Sequence, residues 1–126
     1  MPSNLKRALV IEDNAVDRLL MVKILQGLGY ATVEAKDGRE GIESVSKLGP
    51  FQLITVDQNM QSLDGLGFLK SNVALAGNVK PKIVMVSGDT ELNKIRSALS
   101  AGADEYLMKP YSRESVQLKL KMLGLE

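Results

Sequence analysis

The chain has no cysteine, no histidine and no tryptophan, and aromatic residues fill only 4% of its 126 positions. Without cysteine there is no disulfide, no thiolate zinc site and no cysteine nucleophile. Without histidine a Ser-His-Asp triad is excluded as well. A bound metal would have to be held by oxygen, which favours magnesium or calcium. Net charge is equally scarce, since sixteen basic residues against fifteen acidic leave +1 and no dense Lys/Arg block occurs. Neither nucleic acid nor a membrane surface is implied as a direct partner. No apolar run approaches transmembrane length, and residues 1–7 lack the long apolar stretch of a signal peptide, so a cytoplasmic protein is the default reading.

What is present is ordinary globular composition, 44% hydrophobic and 25% charged. The length suits one domain with a single substantial core, spanning residues 1–126. Strand-like and helix-like segments alternate from end to end without a repeat or linker. Strands are predicted over residues 7–11, 32–35, 53–56, 82–86 and 105–108, the third being apolar on both faces as a central parallel strand should be. In the first helix Val16, Leu19, Leu20, Lys23 and Ile24 fall at helical spacing. The second opens on Asp37 with Glu40 three residues on, turns Ile42, Val45 and Leu48 inward and stops at Gly49-Pro50. A third begins near Asp64 or Gly65, a fourth spans residues 90–101 and is closed by Gly102, and a fifth spans residues 112–123 with Ser112 as its cap.

Five strands alternating with five helices define a doubly wound α/β domain, helices on both faces, with right-handed crossovers. Among the common orders for that count, 2-1-3-4-5 sets strands 1 and 3 side by side at the switch point. The carboxyl ends of such strands form one ligand-binding rim, and four of the runs end in polar residues. Glu12 and Asp13 follow the first, Asp57 the third, Ser87 the fourth and Lys109 the fifth. Each has an ordinary explanation alone: Asp13 or Asn14 as a helix cap, Asp57 and Ser87 as turn residues, Lys109 as a solvated lysine. Together on one rim they form a set that handles phosphate. Crowded carboxylates call for a cation, magnesium bridges carboxylate to phosphate, and a lysine and a hydroxyl cover further oxygens.

The acidic pair Glu12-Asp13, the stretch Asp57-Gln58-Asn59-Met60-Gln61-Ser62-Leu63-Asp64-Gly65, the pair Ser87-Gly88, Ala101-Gly102-Ala103, and Tyr106 through Lys109-Pro110-Tyr111 together resemble the receiver domain of two-component response regulators. The match covers essentially the whole chain. The resemblance implies that Asp57 is phosphorylated by a sensor histidine kinase. It implies that Mg2+ is held by Asp13, Asp57 and the backbone carbonyl of Asn59, with Glu12 acting through water. Ser87 would hydrogen-bond the phosphoryl group, Lys109 would pair with it, and the Lys109–Pro110 bond would be cis. Ser87 and Tyr106 would form the switch, Tyr106 turning inward as Ser87 moves toward the phosphate, and Asn59 and Asp89 would tune dephosphorylation. Gln61 stands where the family commonly has proline, and Ser87 where threonine is commoner.

The output surface implied is that of the fourth helix, fifth strand and fifth helix, with Ile95, Tyr106, Leu118 and Met122 facing a downstream protein. Leu118 and Met122 lie opposite the stripe of Val116, Leu120 and Leu123, which should be core. The segment after Asp57 is similar to chemotaxis-type single-domain regulators, either monomeric or dimerising on phosphorylation. On this reading the chain is no enzyme beyond its own phosphorylation and dephosphorylation. A phosphorelay intermediate, a receiver excised from a larger regulator, and a receiver-like scaffold that binds without phosphorylation remain as alternatives. A haloacid-dehalogenase-type phosphatase would need an Asp at position 59. A flavodoxin-type domain would need a hydroxyl-rich loop where Glu12 and Asp13 stand.

Overall fold

A computed structural model describes residues 6–58, 60, 64–71, 80–88 and 92–125, apart from the side chains of residues 66 and 70. Strand and helix alternate as β1 (Lys6–Ile11), α1 (Ala15–Gly27), β2 (Tyr30–Ala35), α2 (Gly38–Leu48), β3 (Leu53–Asp57), α3 (Gly65–Lys70), β4 (Lys82–Ser87), α4 (Leu92–Ser100), β5 (Glu105–Met108) and α5 (Arg113–Met122). The strands are all parallel, in the order β2-β1-β3-β4-β5. The expected architecture and strand order are therefore those observed. Every residue of β3 is buried, as its central position requires.

Strand alternation sends successive side chains to opposite faces and so divides the core in two. Ala8, Val10, Leu53, Val84, Val86 and Leu107 pack under α1 and α5, against Met21, Leu25, Val116 and Leu120. Leu9, Ile11, Ile54, Val56, Met85 and Tyr106 pack on the other side, against Phe68 and Leu69 of α3, Ala98 of α4 and the partly buried Ile42 and Val45 of α2. Each fully buried aliphatic or aromatic side chain of this kind contributes about 1.5–3 kcal/mol.

Local chemistry sets the helix ends. The side chains of Asn14, Asp37 and Asp64 accept the backbone N–H groups of Asp17, Glu40 and Gly67 at 2.9, 2.9 and 2.8 Å. Ser112 and Ser115 cap each other reciprocally at the start of α5. Beyond α4 the chain turns through Gly102 at φ +122°, a conformation that suits glycine.

The helical spacing noted in α1 coincides with its buried face only at Ile24, and in α2 one residue departs from the sequence expectation. In α1 the buried residues are Met21, Val22, Ile24 and Leu25, while Val16 is 76% exposed, Leu19 51% and Leu20 47%. Apolar residues surround this helix on most sides, so spacing alone does not select the inward face. The phase is fixed by Asn14 at the cap and by Arg18, whose guanidinium donates to the Glu12 carbonyl at 2.8 Å and to Glu34 at 3.0 Å. Positions 18, 21, 22 and 25 then face the sheet. In α2 Leu48 is exposed rather than inward, because the helix ends there at Gly49 and the chain leaves for β3.

Candidate functional site

Register brings the polar strand ends together. Ile11 pairs with Val56, so Glu12 stands beside Asp57; Asp57 pairs with Val86, and Ser87 with Met108, after which comes Lys109. Asp57 and Ser87 are the last residues of β3 and β4, and both are buried.

Glu12 is buried and held at several points. Its backbone N–H donates to the Ala35 carbonyl at 3.0 Å, and its Oε2 accepts the Asn14 N–H at 3.1 Å. Lys109 Nζ donates to its Oε1 at 3.2 Å. Burial, and then a hydrogen bond and like-charge repulsion from Asp57, push its pKa up to about 8 against the opposing pull of Asn14 and Lys109. Lys109 lies 3.6 Å from Asp57 Oδ2 and 3.4 Å from Asp17 Oδ2. Burial lowers its affinity for a proton, but Asp57, Glu12 and Asp17 together outweigh that, and the ammonium's pKa is raised. The Lys109–Pro110 peptide is cis.

Asp13 stands exposed at the rim, and carboxylate oxygens of Glu12, Asp13 and Asp57 lie within 4.8 Å of one another. Three carboxylates this close, one of them driven toward its neutral form, make an all-oxygen donor set that suits a hard divalent cation. Magnesium fits the residues present.

Asn59 and Asp89 lie outside the described residues, as does Gln61. Of the residues assigned to the output surface, Leu118 and Met122 are exposed at 58% and 62%. Ile95 is half-buried against the α2/α3/α4 core, and Tyr106 is 5% exposed, already turned inward rather than presented on the surface.

Three residues at or next to the site were assigned no role from sequence. Asp17, one helical turn past Asp13, reaches Lys109; spacing of four was the signal available. Tyr111 lines the small cavity beside Asp57 with Met21 and Thr55, and its hydroxyl donates to the Asp17 carbonyl at 3.4 Å. Burial chiefly, and the nearby carboxylates against the pull of Lys109, push its pKa up to about 12. Gln58 is buried beside the phenol of Tyr106.

Comparison with known proteins gives a consistent answer. The family model described as response regulator receiver domain matches residues 8–121. The chain is 30% identical over 112 residues to chemotaxis protein CheY of Thermotoga maritima, covering 88% of this chain and 91% of that one. It is 37% identical over 108 residues to protein-glutamate methylesterase/protein-glutamine glutaminase 5 of Myxococcus xanthus, covering 82% of this chain but only 30% of that protein. Among solved structures, chemotaxis protein CheY4 of Vibrio cholerae superposes with a TM-score of 0.85 at 28% identity, covering 94% of this chain and 98% of its own.

Proposed function

We propose, from the premise that the chain belongs to the response regulator receiver domain family, that Asp57 accepts a phosphoryl group from a sensor histidine kinase. A carboxylate oxygen of Asp57 attacks phosphorus as the bond from phosphorus to the donor nitrogen breaks, leaving an acyl phosphate on Asp57. The observation that carries this reading is the convergence of Lys109 on Asp57, Glu12 and Asp17 within 3.6 Å. Lys109 offers its charge to the oxygens of the arriving group, and Ser87, one residue past Asp57's register partner Val86, offers a hydroxyl. Asp13 and Asp57, the Asn59 carbonyl, and Glu12 through water would hold magnesium, which neutralises charge on the phosphoryl oxygens.

Receiver domains are in general signalling domains rather than enzymes, and the chemistry assigned here ends on Asp57 itself. Residues 1–126 form one receiver unit on this reading. Its signal leaves through the face of α4, β5 and α5, where Leu118 and Met122 are exposed, toward a downstream protein. Similarity to chemotaxis proteins over nearly their whole length favours a target of that kind. The exposed Val16, Leu19 and Leu20 of α1, on the helix that carries Asp17, supply an apolar surface on which the donor protein would rest beside the pocket. Among the described residues no helix is long and apolar enough to cross a membrane, which accords with a cytoplasmic signalling role.

Intact mass after incubation with acetyl phosphate and magnesium tests the core of the proposal. One added phosphoryl mass, stable in acid, lost in base and missing from Asp57→Asn, is the expected result. A folded, magnesium-binding wild type that takes up none under these conditions or from a kinase would leave the binding scaffold as the better reading.

A further inference from the structure

Asp57 and Gln58 are consecutive, and strand alternation turns them to opposite faces of the sheet. Asp57 faces the pocket on the α1/α5 side, whereas Gln58 shares the side of Ile54 and Val56, where Tyr106 is packed. There the Tyr106 hydroxyl donates to Gln58 Oε1 at 2.7 Å, with both residues buried. The geometry is that of a good O–H···O bond. Gln58 is itself pinned: its N–H donates to the Val86 carbonyl at 2.9 Å, and its own carbonyl accepts from Gly65 N–H at 3.4 Å. Behind it Gly65 packs so closely that a Cβ there would lie 2.6 Å from the Asp57 carbonyl and 3.0 Å from Gln58 Cα. The backbone from which the amide reaches Tyr106 is therefore fixed, and the side chain that carries it is buried.

We infer that Gln58 is a positioning residue that holds Tyr106 inward before any phosphoryl group arrives, so that in this chain the β5 part of the output face is set in advance. Releasing Tyr106 outward would leave Gln58 Oε1 without this donor in a buried site, which opposes the rotation. Phosphorylation then changes the output face through Ser87 and its neighbours rather than by capturing Tyr106. That last step rests on the phosphoacceptor reading above; the hold of Gln58 on Tyr106 does not.

The chain has three tyrosines and no tryptophan, so 3-fluorotyrosine labelling yields three 19F resonances. The one lost in Tyr106→Phe identifies Tyr106. In the unphosphorylated wild type that resonance should be sharp and shielded from a soluble gadolinium chelate. In Gln58→Met, which keeps the volume and removes the acceptor, it should broaden or split and relax several-fold faster with the chelate. Gln58→Asn, too short to reach the phenol, should do the same if the first variant folds poorly. Shielding unchanged in folded Gln58→Met and Gln58→Asn overturns the inference, as does an exposed Tyr106 in the wild type. Adding beryllofluoride, a mimic of a carboxyl-bound phosphoryl group, with magnesium should move the Tyr111 resonance in every variant and leave wild-type Tyr106 nearly in place. Failure of Tyr111 to respond would count against phosphoryl acceptance, while leaving the Gln58–Tyr106 result intact.

Discussion

The two faces of the sheet are packed to similar depth but built from different materials. Among the described residues the interior under α1 and α5 is largely apolar, with the Tyr30 phenol within it and Thr55, Tyr111, Asp57 and Lys109 gathered around the pocket. Under α2, α3 and α4 the same kind of apolar packing encloses a buried side-chain hydrogen bond, between Tyr106 and Gln58. An apolar contact tolerates small shifts at small cost, whereas a buried hydrogen bond is either made or left unsatisfied. The first face thus serves as a support for the chemistry, and the second carries a specific contact that holds Tyr106 in one orientation.

The largest test of that contrast removes one anchor from each side. Phe68→Ala and Leu25→Ala should cost about 3–5 and about 2–5 kcal/mol in urea unfolding. Losses below about 1 kcal/mol on either side would show that the faces are not equally well packed. Next in size is Gly65→Ala, whose methyl meets the Asp57 carbonyl and Met85 Sδ at 2.6 and 2.8 Å. It should cost about 1–3 kcal/mol and slow phosphate uptake per folded molecule, because the backbone of Asp57 must yield. Gly27→Ala, whose nearest neighbours are Arg113 side-chain atoms at 3.6 and 3.8 Å, is the control and should be neutral or stabilising by about 0.4–1 kcal/mol.

Glu12 separates the ends of one face by pH. Its carboxyl has a raised pKa of about 8 in the folded chain against an ordinary 4.5. Between those values the metal-free folded chain keeps a proton that the unfolded chain has released, so stability from this group is full below pH 4.5 and is lost as pH rises toward 8. Urea midpoints measured without magnesium should fall across that window, and Glu12→Gln should flatten the fall. The smallest effect on stability belongs to the outer surface. Leu20→Asp should change it by no more than about 0.5 kcal/mol, yet slow phosphorylation by a protein donor while leaving acetyl phosphate uptake unchanged.

Much of this was legible in the chain itself, for a physical reason. Buried parallel strands must be almost uniformly apolar, so their ends stand out wherever a carboxylate, hydroxyl or lysine interrupts the run. Asp57, Ser87 and Lys109 are visible on that basis, and the strand boundaries fall within two residues of the expected ones. The inward face of α1 was not legible because Val16, Leu19 and Leu20 compete with Met21, Val22 and Leu25 for the same periodic signal. Only the cap at Asn14 and the reach of Arg18 decide between them. Gln58 was hidden differently. Its role appears only when the alternation of β3 is carried one residue past the strand's end and matched to a tyrosine two strands away.

The ion pair between Lys109 and Glu12 joins residues 97 apart in the chain. It spans the sheet from the end of β1 to the end of β5, so it exists only where β1, β3, β4 and β5 are all paired. A molecule still emerging from the ribosome, or stalled with its last strand unpaired, has Asp57 but lacks the cation that faces it. Phosphate uptake should therefore report the fraction of molecules in which β5 is in place beside β4.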